Sequence, residues 1–156
     1  MHPHESVVRR LYAALAARGA EEAAACYHPE IFYSEPLHPR LRGDAVRDLW
    51  RMRLAPGEAY EIRLDEASGG ADGATARWTV RARVRGRPVE IHGRSLFAFR
   101  DGRISRQYDH YSLWRWSAQA LGPAGAAFGW LGPVRWALRT RARRALERFS
   151  AAPADD

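Results

Sequence analysis

Residues 76–85 read ARWTVRARVR. Ala76, Trp78, Val80, Ala82 and Val84 alternate with Arg77, Thr79, Arg81, Arg83 and Arg85. Successive strand side chains point to opposite faces, so this period of two describes a strand with one buried and one wet face. The same period extends outward. Upstream, Tyr60, Ile62 and Leu64 alternate with charged residues, and Gly69–Gly73 supplies a turn. Downstream, Gly86-Arg87-Pro88 turns the chain into a strand over Val89–Arg100. Asp101-Gly102 is a hairpin signal, and a last strand follows over about Arg103–Trp116. Four consecutive strands of this kind form an antiparallel meander.

Ahead of the meander the spacing is helical. Val7, Val8, Leu11, Tyr12 and Leu15 share one face of a helix over residues 5–18, which Gly19 stops. A short helix over Glu21–Tyr27 is closed by Pro29, and Ile31–Ser34 is extended. Glu35 precedes Pro36, which pushes it out of the helical region to a strand end or turn. After a loop over residues 38–43, Asp44 caps a helix over 45–54 with Val46, Leu49 and Trp50 inward. Three helices and then four strands make an α+β domain. The expected architecture is a cone-shaped α+β barrel. Its three N-terminal helices pack on a curved antiparallel sheet, and a cavity opens at one end.

Beyond residue 116, Gly122-Pro123, Gly125, Gly129 and Gly132-Pro133 punctuate an apolar stretch containing Phe128, Trp130 and Leu131. Val134–Phe149 reads as a helix carrying Trp136, Leu138, Leu146 and six arginines. Residues 117–150 are therefore a C-terminal helical extension and residues 151–156 a disordered tail. The extension's mixture of Trp, Phe and Arg suits a weak contact with a membrane surface, a lid or a dimer arm.

Composition sets limits. The 156 residues suit one domain, and 46% of them are hydrophobic, which argues for a packed core. The basic residues are 25 arginines and no lysine, a usage that fits a GC-rich genome. The formal charge of +7 is explained by one wet strand face and the tail. The arginine stripe lacks a stacking motif for RNA, so no nucleic-acid partner is expected. Cys26 is the only cysteine and reads as a small buried residue. The N-terminus has no signal-peptide pattern, and no run of about 18 apolar residues occurs, so the expected location is cytoplasmic. No phosphate loop, nucleophile elbow or metal-ligand spacing is present, and neither cofactor nor metal is expected.

The order of elements, the stretch YSEPLHPRLRGDAV (residues 33–46) and the hairpin FRDGRISRQYDHYSLW (residues 99–114) resemble the nuclear transport factor 2-like superfamily. That superfamily includes ketosteroid isomerases and SnoaL-like polyketide cyclases, and the resemblance covers about residues 5–116. It implies a nuclear transport factor 2-like domain over residues 1–116 and pairing of sheets into a homodimer. The rings of Trp50, Trp78, Phe97, Tyr108 and Tyr111 favour a small, flat, apolar cyclic ligand. Glu35 falls where the isomerases carry their proton-moving aspartate, Tyr12 near their oxyanion-hole tyrosine, and Tyr27 at another pocket tyrosine. Ser95 occupies the region of their protonated aspartate. Asp109 resembles the last-strand base of the cyclases, with His92 as its accompanying histidine.

The candidate catalytic residues are thus Glu35, Asp109 and Tyr12, with Tyr27, Trp50, Trp78, His92, Phe97 and Tyr111 lining the ligand. A carboxylate facing an apolar pocket has its charged form disfavoured, which suits general acid/base work on a carbon acid. Ketosteroid isomerases divide the labour in this way, with base and neutral acid set apart by their environments. Structural roles compete. Glu35 can cap the following loop or pair with Arg40 or Arg42. A two-residue turn at Asp101-Gly102 places Arg94 opposite Asp109, and a three-residue loop places Gly93 there and frees Asp109 to face the pocket. Four functions remain open. They are a cofactor-independent isomerase or cyclase, a non-catalytic binding or dimerisation module, an epoxide hydrolase built on Asp109 and Arg94, and a peripheral membrane protein.

Overall fold

The computed structural model describes residues 1–152. Its elements run α1 (Pro3–Ala16), α2 (Ala20–Ala24), β1 (Tyr27–Ser34), β2 (Leu41–Arg42), α3 (Asp44–Arg53), β3 (Tyr60–Gly70), β4 (Gly73–Val84), β5 (Arg87–Arg100) and β6 (Arg103–His110). Three helices close the chain: α4 (Leu113–Leu121), α5 (Pro123–Phe128) and α6 (Gly132–Ala151). The expected disordered tail over 151–156 falls on residues 153–156, outside the described residues, apart from Ala151 at the end of α6 and Ala152 beyond it.

All six strands form one sheet in the order β2-β1-β6-β5-β4-β3. The meander β3 to β6 is antiparallel as its alternation requires, but β1 joins β6 in parallel, so the sheet is mixed. The cone-shaped barrel is not formed. The sheet is neither closed nor strongly curled, and its edges β2 and β3 lie at opposite ends of the order. A barrel closes only when its edge strands share a ladder, and a two-residue β2 offers almost nothing to pair with. The other edge, β3, carries Glu61, Arg63 and Asp65, and charges of this kind blunt an open edge.

Helices cover the inner face. Val8, Leu11 and Leu15 of α1 are almost wholly buried, as are Val46 and Leu49 of α3. Each buried aliphatic side chain of this size contributes about 2 kcal/mol. Trp78, Val80, Ile91 and Ile104 meet them from the sheet. The final strand stops earlier than its sequence suggests. Ser112 accepts a hydrogen bond from the Arg115 amide and caps α4, which takes residues 113–116 into a helix. Among the described residues no helix is long and apolar enough to cross a membrane.

Two local features set the register of the last hairpin. Asp101 and Gly102 both have positive φ (54° and 75°), the signature of a two-residue type I′ turn, and Arg100 pairs with Arg103 across it. A β-bulge then breaks the phase. Phe99 pairs with Ile104, but Ala98 pairs with Arg106, which leaves Ser105 as the extra residue. Beyond it Ser95 lies opposite Asp109 and Arg94 opposite His110. Neither register expected from the sequence is adopted, and the Asp109–Arg94 pair does not form.

Candidate functional site

A cavity of about 350 Å³ lies between the inner sheet face and α3. Ile62, Val80, Val89 and Ile91 give it an apolar floor, and Trp116 of α4 with Ala142 and Ala145 of α6 cover it. The extension is therefore part of the cavity wall. A wider surface depression of about 810 Å³ lies beside Phe32, Arg42, Arg106 and Tyr108. It gathers no buried titratable group, whereas the smaller cavity holds two buried carboxyls, Glu35 and Asp109.

The bulge at Ser105 is what turns Asp109 inward. Ile104 is buried before it, and Gln107 and Asp109 are buried after it, while Arg106 and His110 stay wet. A one-residue slip exchanges the faces of a strand, so an unbulged β6 would have buried Arg106 and His110 instead. Asp109 Oδ1 accepts hydrogen bonds from Ser95 Oγ at 2.5 Å and Gln107 Nε2 at 3.0 Å. Its Oδ2 accepts one from the Tyr33 hydroxyl at 2.8 Å. A carboxylate has roughly four lone-pair sites, so one on Oδ2 remains for a ligand. Burial pushes the Asp109 carboxyl up to about 6. The hydrogen bonds from Ser95, Gln107 and Tyr33 pull it down, and the Glu35 charge adds to the rise.

Neutral groups hold this end in place. Ser95 Oγ accepts from Trp78 Nε1 at 2.8 Å. With its own proton given to Asp109, it also accepts from the Tyr12 hydroxyl at 3.1 Å. Trp78 reaches Ser95 because its β5 neighbour is Gly93: a Cβ there would lie 2.4 Å from the indole ring. Trp50 Nε1 donates to the Tyr27 hydroxyl, which donates to Gln107 Oε1 at 2.7 Å and so aims the amide NH2 at Asp109.

Glu35 sits differently. Its backbone closes a tight turn through reciprocal hydrogen bonds with His38. Neither Arg40 nor Arg42 is its partner. Arg53, the last residue of α3, places Nη2 2.5 Å from Glu35 Oε1. Burial works against the Arg53 charge, but the carboxylate outweighs it, and the guanidinium pKa lies well above its ordinary value. His38 Nε2 lies 4.0 Å from the same oxygen. Burial pushes the His38 imidazole down to about 4, Glu35 opposing and Arg53 assisting. Tyr33, between the two acids, has its hydroxyl 3.2 Å from Glu35 Oε2 as well as 2.8 Å from Asp109.

Six of the nine residues named from the sequence line the cavity: Glu35, Asp109, Tyr12, Trp50, Trp78 and Tyr111. Tyr27 and Phe97 are buried behind that wall, Phe97 edge-on to Tyr12. His92 faces the other side of the sheet, two-thirds exposed, bonded to Thr79 and beside Glu90. Sequence reasoning missed Tyr33, His38 and Arg53. Tyr33 was legible, because Ile31, Tyr33 and Glu35 keep one period-two face. Arg53 follows Val46, Leu49 and Trp50 at helical spacing. Among the described residues no group of three or more His, Cys, Asp or Glu is gathered as a metal cradle.

Solved structures place this architecture among known folds. A protein of ketosteroid isomerase-like fold from Catenulispora acidiphila, in complex with trimethylamine, superposes with a TM-score of 0.65. It is 19% identical, and the match covers 76% of this chain and 94% of the other. An LEH-like epoxide hydrolase from M. tuberculosis gives a TM-score of 0.65 at 17% identity, covering 80% and 94%. TerC co-crystallised with polyporic acid gives 0.60 at 18%, covering 71% and 92%. No curated protein matches the sequence. The family model of the SnoaL-like domain matches residues 8–107, nearly two-thirds of the chain and the whole path from α1 to Gln107 of β6, and the chain belongs to that family.

Proposed function

We propose that the cavity binds a small apolar cyclic carbonyl compound and that Asp109 moves its proton, without a cofactor. The observation behind this reading is Asp109 itself, an acid titrating near 6 with one free lone-pair site in an apolar wall. At neutral pH its ionised form takes a proton from the carbon beside the carbonyl, and its protonated form returns it elsewhere. The Tyr111 hydroxyl, unused in any protein hydrogen bond among the described residues, donates to the carbonyl oxygen as charge develops. Burial is the main cause of the high Asp109 pKa, and Glu35, held in place by Arg53, adds to it. Tyr12 acts through Ser95 as a positioning residue. A volume of about 350 Å³ suits one or two rings. The small organic molecules in the Catenulispora and TerC structures accord with a small-molecule role.

Exchange of α-hydrogens tests this without knowledge of the natural substrate. Cyclic ketones of increasing size are incubated with protein in D2O and followed by NMR, with binding measured separately by tryptophan fluorescence. The expected result is exchange above the buffer rate, rising with pH through about 6 and lost in Asp109→Asn. Binding without exchange would leave a ligand-binding module and reject the catalytic role. Absence of both rejects the ligand class.

A further inference from the structure

Four of the six large hydrophobic side chains exposed among the described residues lie in the C-terminal segment from α4 to α6: Trp114, Phe128, Trp130 and Trp136. Phe128, Trp130 and Trp136 are 56%, 63% and 67% exposed. Isolated exposed apolar residues are ordinary, but a cluster of aromatics marks a contact surface. Trp114 Nε1 donates to the Ala126 carbonyl at 3.0 Å, and Trp130 Nε1 to the next carbonyl, Ala127, at 2.9 Å. These two bonds fix the rings at the end of α5, beside Phe128. They also turn the polar edges of both indoles onto the protein, so the surface left to solvent is hydrocarbon.

Charge adjoins this cluster. Residues 113–150 hold seven arginines and one acid, Glu147. Among the described residues only Arg143 of these has a carboxylate partner, Glu147. Arg141, Arg144 and Arg148 are exposed along α6. Arg143 and Arg144 follow Trp136 by two helical turns and share its outward face.

We propose that this outward face of α5 and α6 docks on an anionic lipid bilayer. Rings at the α5–α6 corner enter the boundary below the headgroups, and the α6 guanidiniums meet the lipid phosphates above them. A second copy of this chain fits less well, because the same face would bring like charges together. The opposite face of α6 covers the cavity through Ala142 and Ala145. Docking therefore holds the cavity about one helix diameter, roughly 10 Å, from the lipid, where an apolar ligand concentrates. Membrane docking does not depend on the chemistry assigned to Asp109.

The test is flotation of the full chain with phosphatidylcholine vesicles, with and without phosphatidylglycerol, at low and high salt. Binding is expected to the anionic vesicles, weakened by salt, with a blue shift of tryptophan emission. The variant Phe128→Ser/Trp130→Ser/Trp136→Ser changes exposed residues only, and its fold is checked by circular dichroism. It should lose at least about tenfold in binding, together with most of the blue shift. Arg143→Gln/Arg144→Gln, on the face of Trp136, should lose about thirtyfold. No binding to anionic vesicles overturns the proposal. So does equal binding by the aromatic variant, which reduces the interaction to charge alone. A dimer in light scattering that only the aromatic variant abolishes, without vesicle binding, assigns the face to self-association instead.

Discussion

Glu35 and Asp109 are two carboxyls in one cavity, both nearly buried and both touched by the Tyr33 hydroxyl, yet they are held in opposite ways. Glu35 has a full positive charge 2.5 Å away on Arg53. Among the described residues Asp109 has only neutral donors: a serine, an amide and a phenol. A cation stabilises the ionised form outright, whereas neutral donors only partly offset the loss of water. The partner set, not the residue type, therefore sets the two sites apart, and at Asp109 burial prevails over the neutral donors. Removing the cation should have the largest effect. Arg53→Met keeps an apolar stem but removes the guanidinium that lies over Trp50 and strands the Glu35 charge. It should destabilise the fold by about 4 kcal/mol in urea denaturation at pH 7. A loss below about 1 kcal/mol would mean that solvent or another cation holds Glu35.

The neutral side responds to pH. The Asp109 pKa is raised from 3.8 to about 6, so the native state binds more protons than the unfolded chain between those values. Its stabilising contribution is present at the acid end and is lost as pH rises through about 6. His38 has the opposite sign. Its pKa is lowered from 6.5 to about 4, so the unfolded chain binds more protons and stability is lost as pH falls through that window. Each effect is worth about 3 kcal/mol at full extent, and together they nearly cancel. Asp109→Asn should therefore lose stability on acidification from about pH 6 to about 4 faster than the wild type. His38→Gln should gain stability relative to the wild type over the same range. Urea midpoints at four pH values measure both. Curves parallel to the wild type would show that neither group titrates as its burial requires.

Much of the sheet was legible because arginine and apolar residues alternate cleanly along residues 76–85, and a buried face tolerates only one register. The DG turn was equally plain. The site's orientation was not, because the bulge at Ser105 has no signature in ISRQYDH: no apolar period runs through residues 104–110 to betray a change of phase. Asp109 was found as a residue, but its facing and its Ser95 partner depend on that one extra residue. The Glu35–Arg53 pair spans the β1–α3 connection, so it was hidden from readings confined to the nearby Arg40 and Arg42. The open sheet was missed for a different reason. Closure depends on the length of β2, and two residues within LRG carry no period at all.

Tyr33 is where the two carboxyls meet, and the placement of its proton tells them apart. A phenol has one proton and can serve one carboxylate at a time. The shorter contact, 2.8 Å against 3.2 Å, assigns it to Asp109. Burial raises the Tyr33 pKa well above its ordinary value, so the hydroxyl stays a donor throughout the range in which Asp109 titrates. Tyr33→Phe removes a hydrogen bond that favours the ionised Asp109 and leaves its shape in the core almost unchanged. The cost should be about 1–2 kcal/mol above pH 7 and less where Asp109 is already protonated. The decisive reading is the titration of the Asp109 carboxyl carbon by NMR, whose midpoint should move above about 6. An unmoved midpoint would give the proton to Glu35. Asp109 would then depend on Ser95 and Gln107 alone, and the Glu35 carboxylate would carry a neutral donor in addition to its cation.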